Sequence, residues 1–229
     1  MGLKETVQTG VLPGDGGLAP ANRVRVDGGK IYSSLQAALD RAKNVVQIGP
    51  GEWNGVYDIT TDSLVVKGTG QSTVINGGTE TDHTFTVDAE DTSFSELVIR
   101  HEAESFDGTG SNESFDCIRY ISGSDHSVNN VDFPEISRSG INFAETAGNG
   151  HTIYSCNFDG QSEGNWGIFT NDTVNGITIS DCQTKNTRNG GIRTRGTDTT
   201  IGNCVVVDSN GHGMTIEGDG SSVTGGTIR

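Results

Sequence analysis

Arg193 and Arg195 alternate along one short segment, so in an extended chain both side chains face the same side. Arg119 sits in an analogous segment earlier in the chain. Asp159 and Glu163 lie in a loop just before Trp166. An arginine base beside a carboxylate-bound calcium ion is one chemistry these residues allow. The ordinary alternative is a set of charges solvated on a surface. Trp166, Tyr120 and Trp53 offer apolar ring faces with polar tips, which suits stacking on sugar rings. Trp53 is expected to pack near the N-terminal end, which leaves Trp166 as the better surface candidate. Trp166, Tyr120, Arg193 and Arg195 therefore form the candidate carbohydrate-binding set. The segment from His101 to Ser114 carries Glu102, Glu104, Asp107 and Glu113 among glycines and serines. Such a loop has ligands for Ca²⁺ or another cation, and is otherwise a solvated loop.

The elements that position these residues are read first from composition. In 229 residues, 30 acids oppose 15 bases, for a formal charge of −15. That balance argues against nucleic acid and anionic membranes as partners. Eighteen Asp against five Lys resembles proteins of high-salt organisms, where salt screens self-repulsion. An ordinary acidic surface accounts for the same numbers. Ile and Val total 36 while Leu is 7, and β-branched residues suit a pleated sheet. No stretch approaches the ~18 apolar residues of a membrane span. Residues 1–20 have no apolar core of a secretory signal. The four cysteines form no CxxC pair, so free buried thiols are expected.

Internal repetition dominates the remainder. Centres at Leu97, Val131, Cys156, Cys182, Cys204 and Thr227 recur at spacings of 34, 25, 26, 22 and 23 residues. Three residues before the first five stand Phe94, Val128, Ile153, Ile179 and Ile201. A second register runs through Phe85, Ile118, Ile141, Ile168, Ile192 and Met214. Asn-Gly pairs begin at 149, 175, 189 and 210 and predict turns with positive φ. An antiparallel sandwich also uses Asn-Gly turns. It does not require one strand to recur in register, whereas stacked coils do. The fold predicted is all-β, a parallel β-helix solenoid. Ser33 to Lys43 reads as its one helix, with Ser33 and Gln36 as a capping box and Leu35, Ala38, Leu39 and Ala42 on one face.

The order Ser-Leu-Gln-Ala-Ala-Leu, Val-x-Ile-x-Pro-Gly, Leu-x-Val-x-Gly-x-Gly and Val-Ile-x-Gly resembles the opening of pectate-lyase-like right-handed parallel β-helices. The resemblance covers roughly residues 30–229 and implies a right-handed solenoid with the helix, about 33–43, capping its N-terminal end. It speaks to fold more than to function, because the superfamily holds polysaccharide lyases, glycoside hydrolases, surface proteins and viral tailspikes. Gly211-His212-Gly213 resembles a signature of polygalacturonase-type glycosidases. The carboxylates which that family places on preceding coils are replaced here by Asn165-Trp166-Gly167 and Asn189-Gly190-Gly191. Gly-x-Gly also arises from the repeat itself.

Residues 1–29 lack periodicity and are read as an irregular docking segment, followed by the solenoid domain 30–229. The last strand is expected to continue, or to be capped by a partner, beyond Arg229. Three functions follow as expectations. The first is a virion protein (tailspike, turret or capsid-associated spike) contacting a host surface glycan. The resemblance then implies a homo-oligomer, a trimer or a pentamer, held to other virion or self subunits through residues 1–29. The second is an extracellular polysaccharide lyase or glycoside hydrolase acting on an acidic polysaccharide, with Asp159, Glu163, Arg193 and His212 as catalytic candidates. The third is a cell-surface adhesin. No cofactor is required by any of them, apart from the cation noted above.

Overall fold

A computed structural model of the chain describes residues 18–77, 82–101 and 115–229. Seven parallel strands form one sheet: Tyr57–Ile59, Phe85–Val87, Ile118–Tyr120, Ser139–Phe143, Trp166–Thr170, Gly190–Thr194 and His212–Ile216. A second, 16-stranded sheet supplies the other walls of a parallel β-helix. Its main path runs from the antiparallel N-terminal strands to Ser222–Thr224.

The repeat seen in the sequence is the register of the solenoid. Phe85, Ile118, Ile141, Ile168, Ile192 and Met214 are successive partners in the seven-stranded sheet. Phe94, Val128, Ile153, Ile179 and Ile201 do the same in the other sheet. These side chains point inward and stack coil on coil, each burial contributing about 1.5–3 kcal/mol. Aromatic pairs reinforce the column: Tyr120 stacks on Phe143 at 4.8 Å and Phe133 on Phe158 at 4.7 Å. Cys156, Cys182 and Cys204 are buried free thiols. One centre slips. Val205 pairs with Thr227, so Cys204 aligns with Gly226 rather than Thr227. In the last coil Val223 and Ile228 take ladder positions but are exposed.

Each coil turns sharply just before its centre. Glu96, Asn130, Ser155, Asp181 and Asn203 all have φ between 51° and 55°. Asn and Asp tolerate this left-handed conformation best among residues with a Cβ. Of the Asn-Gly pairs at 149, 175, 189 and 210, those ending in Gly150 and Gly176 have the expected positive φ. Gly190 and Gly211 do not, and close approach explains them instead. A Cβ on Gly211 would lie 2.0 Å from the Asn189 carbonyl oxygen, and one on Gly190 would lie 2.3 Å from the Trp166 ring. A Cβ on Gly213 would meet Ile228 at 2.5 Å. Packing against backbone thus accounts for Gly211, while Gly213 faces only the exposed side chain of Ile228.

The N-terminal end differs in detail from expectation. The helix is Leu35–Leu39, five residues rather than the eleven of 33–43, and its N-cap is Ser34, whose hydroxyl accepts from the Ala37 N–H. Gln36 does not close a capping box. It reaches Asp40 and the backbone of Asp58. Leu35, Ala38, Leu39 and Ala42 are buried as the periodicity predicted. Within the segment read as irregular, Val24–Val26 is a strand, antiparallel both to Lys30–Tyr32 and to Val45–Ile48. Asp27 then accepts from the N–H groups of Lys43, Asn44 and Val45. Residues 24–29 are therefore part of the solenoid's end. Residues 1–17 lie outside the described residues.

Candidate functional site

Alternation along the seven strands puts the residues between the core positions on the outer face. Register lines them up as Asp58, Thr86, Arg119, Asn142, Phe169, Arg193 and Thr215. This row runs along the solenoid axis. Trp166 stands beside it, in register with Ser139 and Gly190, and exposed His212 follows Gly190.

The C-terminal part of the row is an aromatic and cationic platform. The Arg193 guanidinium lies 5.6 Å from the Trp166 ring centre and 5.8 Å from that of Phe169. Arg193 donates from Nε and Nη2 to Glu217 Oε1, at 3.1 and 2.7 Å. Arg195 donates to Glu217 Oε2 at 3.0 Å and pairs with Asp172 at 3.0 Å. The hydrogen bonds from Arg195 and then Arg193 hold the Glu217 carboxyl below its usual range. Arg193, Arg195 and Trp166 thus share one surface, as the carbohydrate-binding set requires.

Tyr120 does not join them. It is fully buried, with its ring 4.3 Å from His126 and 4.8 Å from Phe143. The strand Ile118–Tyr120 alternates, so placing Arg119 outward turns Tyr120 into the core, where no sugar reaches it. Nor are the four catalytic candidates brought together. Asp159 belongs to Asn157–Asp159 in the other sheet, where Lys185 pairs with it at 3.0 Å and Asn186 donates to it at 3.0 Å. Partial burial pushes its pKa up, but the hydrogen bonds from Asn186 and Lys185 prevail and hold it below the ordinary value. Glu163 is exposed in the following turn. Only Arg193 and His212 share the seven-stranded sheet. The cation candidates Glu102, Glu104, Asp107 and Glu113 lie outside the described residues. Among the described residues no group of three or more His, Cys, Asp or Glu is placed to hold a metal ion.

A second cluster, missed by the sequence reading, lies further along the same face. Asp116 is wholly buried immediately before the strand Ile118–Tyr120. Its Oδ2 accepts from Asn142 Nδ2 at 2.8 Å and lies 3.5 Å from His83 Nδ1, 3.9 Å from Arg119 and 4.0 Å from Arg138. Its Oδ1 is buried without a hydrogen-bond partner. His83 is only 13% exposed, while Arg119 and Arg138 reach solvent. Burial pushes the His83 pKa down, Asp116 opposes that, and Arg119 adds to it. Among the described residues, two guanidinium groups, Arg119 and Arg138, and two carboxylates, Asp116 and Asp82, act on His83. The pairing of Phe85 with Ile118 was legible, and stepping back two residues in both segments meets His83 and Asp116. Strict alternation from Ile118 assigns both to the apolar interior, which hid them.

No protein-family model and no curated protein matches the chain. Solved structures do. A pectin methylesterase variant in complex with a hexasaccharide is similar with a TM-score of 0.53 at 17% identity, over 76% of this chain and 61% of that one. The A-module of a mannuronan C-5 epimerase from Azotobacter vinelandii gives 0.60 at 15% identity, over 82% of this chain and 61% of that one. The pectin methylesterase of Aspergillus niger gives 0.54 at 14% identity, over 96% and 88%. The chain spans about three fifths of the length of the first two. At these identities the likeness establishes the fold, the right-handed parallel β-helix of pectate-lyase-like proteins. All three neighbours are carbohydrate-active enzymes, and nothing in them supports a virion spike.

Proposed function

We propose that the chain is a carbohydrate-active enzyme that takes an acidic polysaccharide along the outer face of its seven-stranded sheet. The reading follows the lyase or hydrolase alternative drawn from the sequence, in preference to the tailspike. The observation that carries it is the axial row Arg119, Phe169 and Arg193, flanked by Trp166, with the buried Asn142 filling the place between Arg119 and Phe169. Successive coils stand about 4.8 Å apart, a step comparable to one pyranose unit of an extended polysaccharide. Trp166 and Phe169 offer flat apolar faces to sugar rings. Guanidinium forks match carboxylates in geometry and charge. Arg119, Arg138, Arg193 and Arg195 concentrate four of the chain's ten arginines near this face. Asp116, Glu217 and Asp172 offset part of that charge at contact distance, and charges farther off on the acidic surface are screened beyond about 8 Å at physiological salt.

The test is a screen of the purified chain against polygalacturonate, alginate and neutral dextran. Retention is followed by affinity electrophoresis, and turnover by reducing ends and unsaturated products. Retention of an acidic polymer but not dextran, with product formation, is expected. Equal retention of dextran, or no retention of either acid polymer, overturns the reading.

A further inference from the structure

Three imidazoles accept a backbone N–H at Nδ1. His126 accepts from Thr92 at 3.1 Å, His151 from His126 at 3.2 Å, and His83 from Asp116 at 2.9 Å. Such a bond assigns the proton of a neutral ring to Nε2. In His126 and His151 that proton is taken by a carbonyl oxygen, of Ser122 at 2.9 Å and of Gly148 at 3.0 Å. In His83 the Nε2 instead faces Arg119 Nη1 at 3.2 Å. A guanidinium only donates, so two donors face each other. Beside them Asp116 Oδ1, a pure acceptor in a carboxylate, is buried with no partner. The same small site therefore asks for an acceptor at one edge and a donor at the other.

We infer that His83, Arg119 and Asp116 form a subsite for the carboxylate of an acidic sugar. One carboxylate oxygen accepts from both His83 Nε2–H and Arg119 Nη1–H, and a neighbouring sugar hydroxyl donates to Asp116 Oδ1. Two donors 3.2 Å apart can share one oxygen lying about 2.8 Å from each. Arg138, 4.0 Å from Asp116 Oδ2, adds positive charge at the rim. Asn142 fixes the other carboxylate oxygen, which leaves Oδ1 for the ligand. The inference rests on the proposed reading of this face and names its second subsite, beyond the Trp166 and Arg193 platform.

The test uses the full chain and monosaccharides. Its five histidines give separate ring-proton lines by NMR, with His83 assigned through His83→Gln. D-galacturonate is expected to move the His83 line saturably and to leave His126 and His151 in place. D-galactose, which lacks the carboxylate, is expected to move none. Acetate, which lacks the hydroxyl, is expected to bind about tenfold or more weakly. Arg119→Gln is expected to weaken galacturonate by about tenfold or more, with Arg119→Lys intermediate because it keeps charge but not the fork. Asp116→Asn is expected to abolish the preference for galacturonate over acetate. If that variant does not fold, the comparison of the two ligands on the natural chain still decides the hydroxyl contact. An unmoved His83 line, or a galacturonate response unchanged in Arg119→Gln, overturns the subsite. Equal binding of acetate overturns the contact to Asp116. Retention of polygalacturonate with an unmoved His83 line overturns this inference and leaves the proposed function standing. A His83 response without polymer retention does the reverse.

Discussion

Arg193 lies over the Trp166 ring, 5.6 Å from its centre, while two of its nitrogens donate to a single oxygen of Glu217. The aromatic face and the carboxylate hold the guanidinium at one place on the outer face. Glu217 also holds Arg195, so one acid partly neutralises two bases that the ligand must meet.

Replacing Glu217 by Gln keeps its size and removes its charge. Retention of polygalacturonate at low salt is expected to strengthen by roughly twofold to fivefold, with the gain vanishing at high salt. Affinity electrophoresis across a salt series reads this. Weaker retention would show that positioning of the arginines matters more than their free charge.

The buried histidines make the fold acid-sensitive. His126 and His151 stack at 5.1 Å, and each is satisfied only as a neutral ring. Burial lowers the His151 pKa from 6.5 to about 4, with the neighbouring His126 adding to it. Burial lowers that of His126 too, against the pull of the Ser122 carbonyl and of Glu90, Asp91 and Asp125. A histidine with a depressed folded pKa binds its proton more readily in the unfolded chain. Stability is therefore full above pH 6.5 and falls as pH drops toward 4, by about 3 kcal/mol for His151. Urea midpoints between pH 7 and 4.5 are expected to fall for the natural chain and to fall less for His151→Gln. Parallel slopes would contradict the assignment.

Core and face positions on one sheet should respond differently. Ile168 is fully buried between Ile141 and Ile192, and Ile168→Ala is expected to cost about 2–5 kcal/mol. Thr86→Ala, on the outer row, is expected to stay within about 0.5 kcal/mol. Chemical denaturation separates the two, and equal losses would mean that the row is not an outer face.

The thiols should be silent. Hydrogen bonding with Cys156 leads the causes that push the Cys182 thiol up to about 12, and burial pushes that of Cys117 well above its ordinary value. Ellman's reagent is expected to detect none of the four cysteines in the folded chain and all four in denaturant. Prompt reaction of any one in native buffer would contradict the buried column.

The solenoid was legible because its ladder is made of like residues. Ile118, Ile141, Ile168 and Ile192 are direct partners, so one register recurs four times in nearly the same side chain. The sharp corners were equally present, in Asn130, Asp181 and Asn203, but their left-handed φ is a backbone property that the residue type only permits. The last centre was misplaced by one because the offset of 22 residues, unbroken from Ile201–Val223 to Val205–Thr227, puts Gly226 opposite Cys204, and a glycine carries no side chain to mark a core position. The site was half legible. Arg193 follows from strand position, and the same alternation, applied to Arg119, turns Tyr120 inward, whereas Trp166 shares the parity of the inward Ile168 and was singled out by its residue type. His83 and Asp116 lie before their strands begin, where alternation no longer tells outside from inside. Their meeting depends on coil geometry and on Arg138, which follows the next coil's turn, so no short motif marks it.

The most direct test of the account is the dissociation constant of polygalacturonate for the natural chain and for Arg193→Ala, at low and at high salt. Loss of the fork and of its charge is expected to weaken binding by about tenfold or more, and high salt to narrow the difference. An unchanged constant would mean that the polymer does not lie on this face, and would contradict the account.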